Sequence, residues 1–117
     1  MPLPAALAAL AQFRQFVAVK IEADPARPGK TNKYPINPHT LAFASSTDPA
    51  TWGSYDEAVA TGLPIGFVIT EASKVWCLDI DGARQQDGSW SPLALELVAA
   101  LPGAGVEVSC SGNGLHI

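Results

Sequence analysis

Proline and glycine punctuate this chain from end to end, ten of each in 117 residues, and that punctuation limits what it can build. Proline breaks helix interiors and cannot donate within a sheet, while glycine favours turns, so short elements joined by many turns are expected. Long helices and a coiled coil are excluded. The intervening runs are apolar enough to pack, with 48% hydrophobic and 15% charged residues, which sets the chain apart from a disordered segment. Its length suits one domain, residues 1–117 forming a single unit or the front part of one. The apolar run from Leu3 to Ala11 has no basic residue before it, Arg14 being the first, so it does not read as a signal peptide. No stretch approaches the roughly 20 apolar residues of a membrane helix. A cytoplasmic chain with no membrane contact is the expectation.

The pattern predicts an α+β domain: a mixed, mostly antiparallel sheet with helices over 3–12, 54–61 and 92–101 packed on it. The first helix rests on apolar residues at helical spacing. The second opens on a capping box, Ser54 with Glu57 three residues on, and the third on Ser91 followed by Pro92 at the first helical position. Phe16 to Val19 reads as a buried strand. Residues 22–32 form a loop rich in Pro, Gly, Asp and Asn, and Lys33 to Pro38 is extended because each proline pushes its predecessor away from helical geometry. Ser45 to Trp52 reads as a turn or short helix with Pro49 at its start. Pro64 to Thr70 and Val75 to Asp81 read as two strands joined in an antiparallel hairpin by residues 71–74, which places Asp79 and Asp81 at the end of a central strand. Gly105 to Ser109 is a further strand, and Gly112 to Gly114 is a turn into a last one. Because that last strand has barely begun at Ile117, the domain is expected to continue beyond it. Cys77 and Cys110 match no zinc or redox spacing and read as buried apolar side chains.

Chemistry concentrates in two places. In Leu78-Asp79-Ile80-Asp81 the acids alternate with apolar residues, so on a strand both carboxylates project from one face. Two close carboxylates call for a positive partner. Mg²⁺ or Mn²⁺ suits them, since hard cations take oxygen ligands and leave positions for water or phosphate; the alternative is a strand end whose acids simply face water. The second place is Ser109 to His116, where glycines on either side of Asn113 permit a tight turn that delivers His116 on a strand. That histidine can donate to phosphate oxygens or serve as a structural hydrogen-bonding group. His39 reads as a surface residue.

Net charge is −4, which argues against a wholly basic nucleic-acid-binding surface. Yet five of the seven Lys and Arg residues (Arg14, Lys20, Arg27, Lys30 and Lys33) fall between positions 14 and 33, which makes that segment the candidate phosphate-facing surface. Trp52 and Tyr55 read either as packing residues or as platforms for stacked bases.

Five words recur in one order: Lys33-Tyr34-Pro35 with Asn37-Pro38, Ala44 to Pro49 with Thr51-Trp52, Gly66-Phe67-Val68, Asp79-Ile80-Asp81, and Ser111 to His116. As a set they resemble the N-terminal primase-polymerase domain of phage and plasmid replication proteins, in the archaeo-eukaryotic primase superfamily. The resemblance implies a DNA primase/polymerase, a nucleotidyl transferase that makes or extends primers from nucleoside triphosphates on a single-stranded DNA template. It assigns Asp79 and Asp81 to catalytic Mg²⁺ or Mn²⁺, and His116, helped by Ser111 and Gly112, to the triphosphate. Lys30 and Lys33 become candidates for nucleotide phosphate, and with Arg14 for the template backbone. A helicase domain in the same polypeptide is a further implied partner. The family carries a third acid on a later strand, which this chain lacks, so the resemblance implies an inactive fragment of an active enzyme. Two other readings stand beside it: a glycosyltransferase, which also uses a DxD acid pair, and a non-catalytic module that binds nucleic acid or a replication partner.

Overall fold

The computed structural model describes residues 3–117. The chain divides into two compact units, one formed by Leu10–Lys74 and the other by Val75–Ile117 together with residues 3–9. The α+β expectation holds, with short helices and antiparallel sheets throughout.

In the first unit a three-stranded antiparallel sheet has β1 (Phe16–Ala23) at its centre, flanked by β2 (Thr31–Ile36) and β3 (Ile65–Phe67). The first three residues of β1, Phe16, Val17 and Ala18, are all buried, as befits a central strand covered on both faces. Beyond them the strand emerges into solvent as the outer part of a hairpin with β2. The helix α1 (Tyr55–Ala60) begins as expected: Ser54 Oγ accepts from the Glu57 amide and the Glu57 carboxylate accepts from the Ser54 amide. Phe16 meets the rings of Tyr55 and Phe67 edge-on at 5.4 and 5.1 Å. Trp52 is buried and its indole N–H donates to the Ser45 carbonyl at 2.7 Å. Of the two roles open to Trp52 and Tyr55, packing is the one both fill here.

In the second unit β6 (Leu115–His116) lies between β4 (Asp79–Ile80) and β5 (Glu107–Val108), all antiparallel. Reciprocal hydrogen bonds between Leu78 and Ile117, both 2.9 Å, carry the β4–β6 ladder one pair further. The helix α2 (Pro92–Ala100) is capped by the Ser91 hydroxyl, which accepts from the Ala94 amide. Ala94 packs with Ala83, Leu115 and Ile117, and Leu78, Ile80, Trp90, Leu97, Val98 and Leu101 surround that centre. The three helices thus fall close to their expected places, although Ala5–Gln12 winds as a 3-10 helix with no buried residue.

Three expectations are corrected. Residues 64–70 and 75–81 do not form a hairpin, because β3 pairs with β1 and β4 with β6. The link folds on itself instead: Ser73 donates through its hydroxyl to the Thr70 carbonyl at 2.8 Å, and Lys74 adopts a left-handed backbone at φ 53°. The strand bearing Asp79 is therefore an edge strand, and β6, carrying His116, is the central one. Neither cysteine is buried: Cys77 lies two residues before Asp79 on the face away from the core, and Cys110 lies in the turn before β6. His39 is exposed, as expected, and its Nε2 reaches Glu57 Oε2 at 2.5 Å. No helix among the described residues is long and apolar enough to cross a membrane.

Candidate functional site

The pleat of the second sheet places the chemistry. Leu78 and Ile80 on one strand, and Leu115 and Ile117 on the other, turn toward the core, so the residues between them must point away. Those residues are Asp79 and His116, which stand directly opposite each other in the β4–β6 register. On the far side of β6 the opposite residue is Glu107. One transverse row of the sheet therefore reads Asp79, His116, Glu107. His116 Nδ1 lies 2.8 Å from Glu107 Oε1, and its Nε2 lies 3.3 Å from Asp79 Oδ1. The imidazole is 25% exposed, whereas the Asp79 and Glu107 side chains are 61% and 64% exposed. Cys77 shares this face; partial burial first, then the carboxylates of Asp79 and Glu107, push its thiol above the ordinary value.

The turn that delivers His116 uses its glycines as the sequence suggests. Gly112 sits at φ 80°, a conformation that costs other residues. At Gly114 the constraint is space: a Cβ would lie 2.9 Å from Ser109 Oγ and 3.3 Å from the Ile80 carbonyl oxygen. Ser109 Oγ accepts from the Gly114 amide at 2.9 Å, and Ser111 Oγ lies 3.1 Å from Ser109 Oγ and accepts from the Asn113 amide at 3.3 Å. The Ser111 hydroxyl thus already serves the turn.

Of the residues singled out from sequence, Asp79, Asp81, Ser111, Gly112 and His116 belong to the second unit, and Arg14, Lys30 and Lys33 to the first. Asp81 is exposed in the turn that follows β4, so strand alternation ends at Ile80 and does not itself pair Asp81 with Asp79. Arg14 donates to Glu57 Oε1 at 2.6 Å, and this bond leads the causes that hold the Glu57 carboxyl below its ordinary range. Lys33 is exposed on β2, and Lys30 is exposed at the end of the loop before it. Glu107 was not among the residues singled out. The signal was available: counting outward from the glycine turn pairs Val108 with Leu115 and Glu107 with His116.

Among the described residues no three His, Cys, Asp or Glu side chains gather as a metal site. The donor chemistry still fits a hard cation: Asp79 offers exposed oxygens at the edge of the sheet, and such ions take their remaining ligands from water and phosphate.

No family model matches the chain. A DNA primase-polymerase from Nitratiruptor phage NrS-1 is 34% identical over 127 aligned residues, an alignment that takes in 100% of this chain. This chain is a relative of the primase-polymerases. It spans 16% of the length of the phage primase-polymerase. The Asp79–His116 pair thus lies within a segment that is similar along its entire length to part of a primase-polymerase.

Proposed function

We propose that this chain contributes part of the nucleotidyl-transfer site of a metal-dependent DNA primase/polymerase that acts in phage or plasmid replication and extends primers on single-stranded DNA. The fold would then be the front of an archaeo-eukaryotic-primase-like core. One observation carries the reading: Asp79 and His116 are directly opposed across β4 and β6, 3.3 Å apart on the face away from the core. The words Asp79-Ile80-Asp81 and Ser111 to His116, which resemble those of the family, imply roles for the same acid and the same histidine.

Asp79 and Asp81 would hold Mg²⁺ or Mn²⁺, and a bound ion there would neutralise phosphate charge and favour attack by a primer hydroxyl. The chain's own residues bind and orient. His116 offers Nε2 beside the carboxylate, where the doubly protonated ring can donate to a triphosphate oxygen, and the glycine turn brings backbone close without side-chain obstruction. Lys30 and Lys33 would meet nucleotide or template phosphates, with Arg14 a further candidate for the template. The test is nucleotide incorporation by the full-length protein with and without Mg²⁺ or Mn²⁺. Incorporation should require the ion and be lost in Asp79→Ala, whose exposed side chain can be removed without opening the core. Undiminished incorporation by a folded Asp79→Ala protein would end the assignment.

A further inference from the structure

We infer that Glu107 is a positioning residue for His116: it fixes the imidazole ring and commits Nδ1, so that Nε2 is the ring atom left to serve the face beside Asp79. The inference rests on the polymerase reading for its purpose, but its geometry stands without it. Three observations support it. Glu107 and His116 are direct cross-strand partners in the β5–β6 register. The Glu107 Oε1 to His116 Nδ1 distance is 2.8 Å, well inside hydrogen-bonding range, whereas Asp79 Oδ1 stands 3.3 Å from Nε2. Finally, Leu115 and Ile117 are buried on either side of His116, so the backbone cannot twist to re-aim the ring without disturbing the core.

The chemistry follows from the inventory of donors. An ionised carboxylate only accepts, so the shorter contact places a proton on Nδ1. A ring whose Nδ1 donates to a carboxylate has its plane and tautomer set, the same logic by which an outer carboxylate orients a working imidazole elsewhere. Glu107 touches neither the acid pair nor, by its position across β6, the atoms that Nε2 would meet. Its influence passes through the ring.

The test is ¹⁵N NMR of the two histidine rings in this chain, recorded over a pH series and read at the alkaline end where the spectra themselves show one proton on each ring. His39, in the other unit, serves as the internal reference. In the native chain His116 should carry its proton on Nδ1. Glu107→Ala should move that proton to Nε2, facing Asp79, while Glu107→Gln, which keeps an acceptor oxygen, should hold it on Nδ1. Asp79→Ala should leave it on Nδ1. Glu107 is exposed, so its replacement spares the core, and an unchanged backbone amide spectrum checks this. A proton on Nε2 in the native chain, or one that stays on Nδ1 in Glu107→Ala, overturns the inference. Failure of the polymerase assignment would show in the incorporation assay and leave these spectra unaltered, so the two claims fail separately.

Discussion

Gly114→Ala is the substitution whose cost can be worked most directly from the structure. The added methyl would sit 2.9 Å from Ser109 Oγ, 3.2 Å from Ser109 Cβ and 3.3 Å from the Ile80 carbonyl oxygen, all closer than ordinary contact. The backbone of β4 is tied to β6 and cannot retreat, so the Ser109 side chain must. In moving, it gives up the bond it accepts from the Gly114 amide and its contact with Ser111. One lost hydrogen bond costs about 1 kcal/mol, and residual overpacking adds roughly 1–3 kcal/mol, for a destabilisation of about 2–4 kcal/mol. The assay is urea unfolding of four proteins: the native chain, Gly114→Ala, Ser109→Ala and the double mutant. Ser109→Ala removes the nearest clashing atom and already forfeits the hydrogen bond, so Gly114→Ala should cost about 1 kcal/mol less in that background. Additive costs would show that the glycine is not there for want of space, and the geometric account of the turn would fail.

Phe16→Ala should destabilise by about 3–5 kcal/mol in the same unfolding assay, because this ring is 2% exposed and meets two other rings edge-on; a loss under 1 kcal/mol would contradict its place at the centre of the first unit. Glu57 has its carboxyl held below the ordinary value of 4.5, first by the Arg14 hydrogen bond. The stabilisation it brings is therefore complete above about pH 4.5 and lost as pH falls through the lower folded value. Arg14→Gln should flatten the acid side of the stability profile, and an unaltered slope would refute the pairing. If Lys30 and Lys33 meet template phosphates, replacing both by Ala in the full-length protein should weaken single-stranded DNA binding and reduce the salt slope by about 1.4, at roughly 0.7 per phosphate contact; an unchanged slope removes them from the interface.

Much of this was legible because local signals agreed with the tertiary structure. The Ser54 capping box and the Ser91-Pro92 start each mark a helix where one forms. The alternation in Leu78-Asp79-Ile80 gave the correct facing of Asp79, since the same pleat that buries Ile80 exposes its neighbour. Strand pairing was not legible. Residues 71–74 have hairpin length, but length cannot reveal that Val68 already donates to Gln15, just before β1, at 2.7 Å while Leu78 pairs with Ile117. Those partners are distant in sequence, and apolar runs carry no address. Cys77 went wrong for a related reason: once β4 became an edge strand, a face read as buried was left open. Glu107 escaped notice because a lone acid in a valine strand looks like a solvent-facing residue until its opposite number is known.

The row Asp79, His116, Glu107 raises an energetic question, since it sets two carboxylates on either side of one imidazole. In solvent, two like charges several ångströms apart repel by about 1 kcal/mol or less. A shift of β6 by one residue would take His116 out of that row and leave the two carboxylates facing each other, and it would turn Leu115 and Ile117 outward. These two residues are 5% and 9% exposed, and exposing them would forfeit roughly 1.5–3 kcal/mol each. The apolar term is larger by severalfold, before counting the cost of burying an unpartnered imidazole. The polar row is therefore held in place by the residues behind it. Conservative trimming of that support, such as Leu115→Val, should loosen His116 before it unfolds the sheet, because the register depends on a margin of only a few kcal/mol.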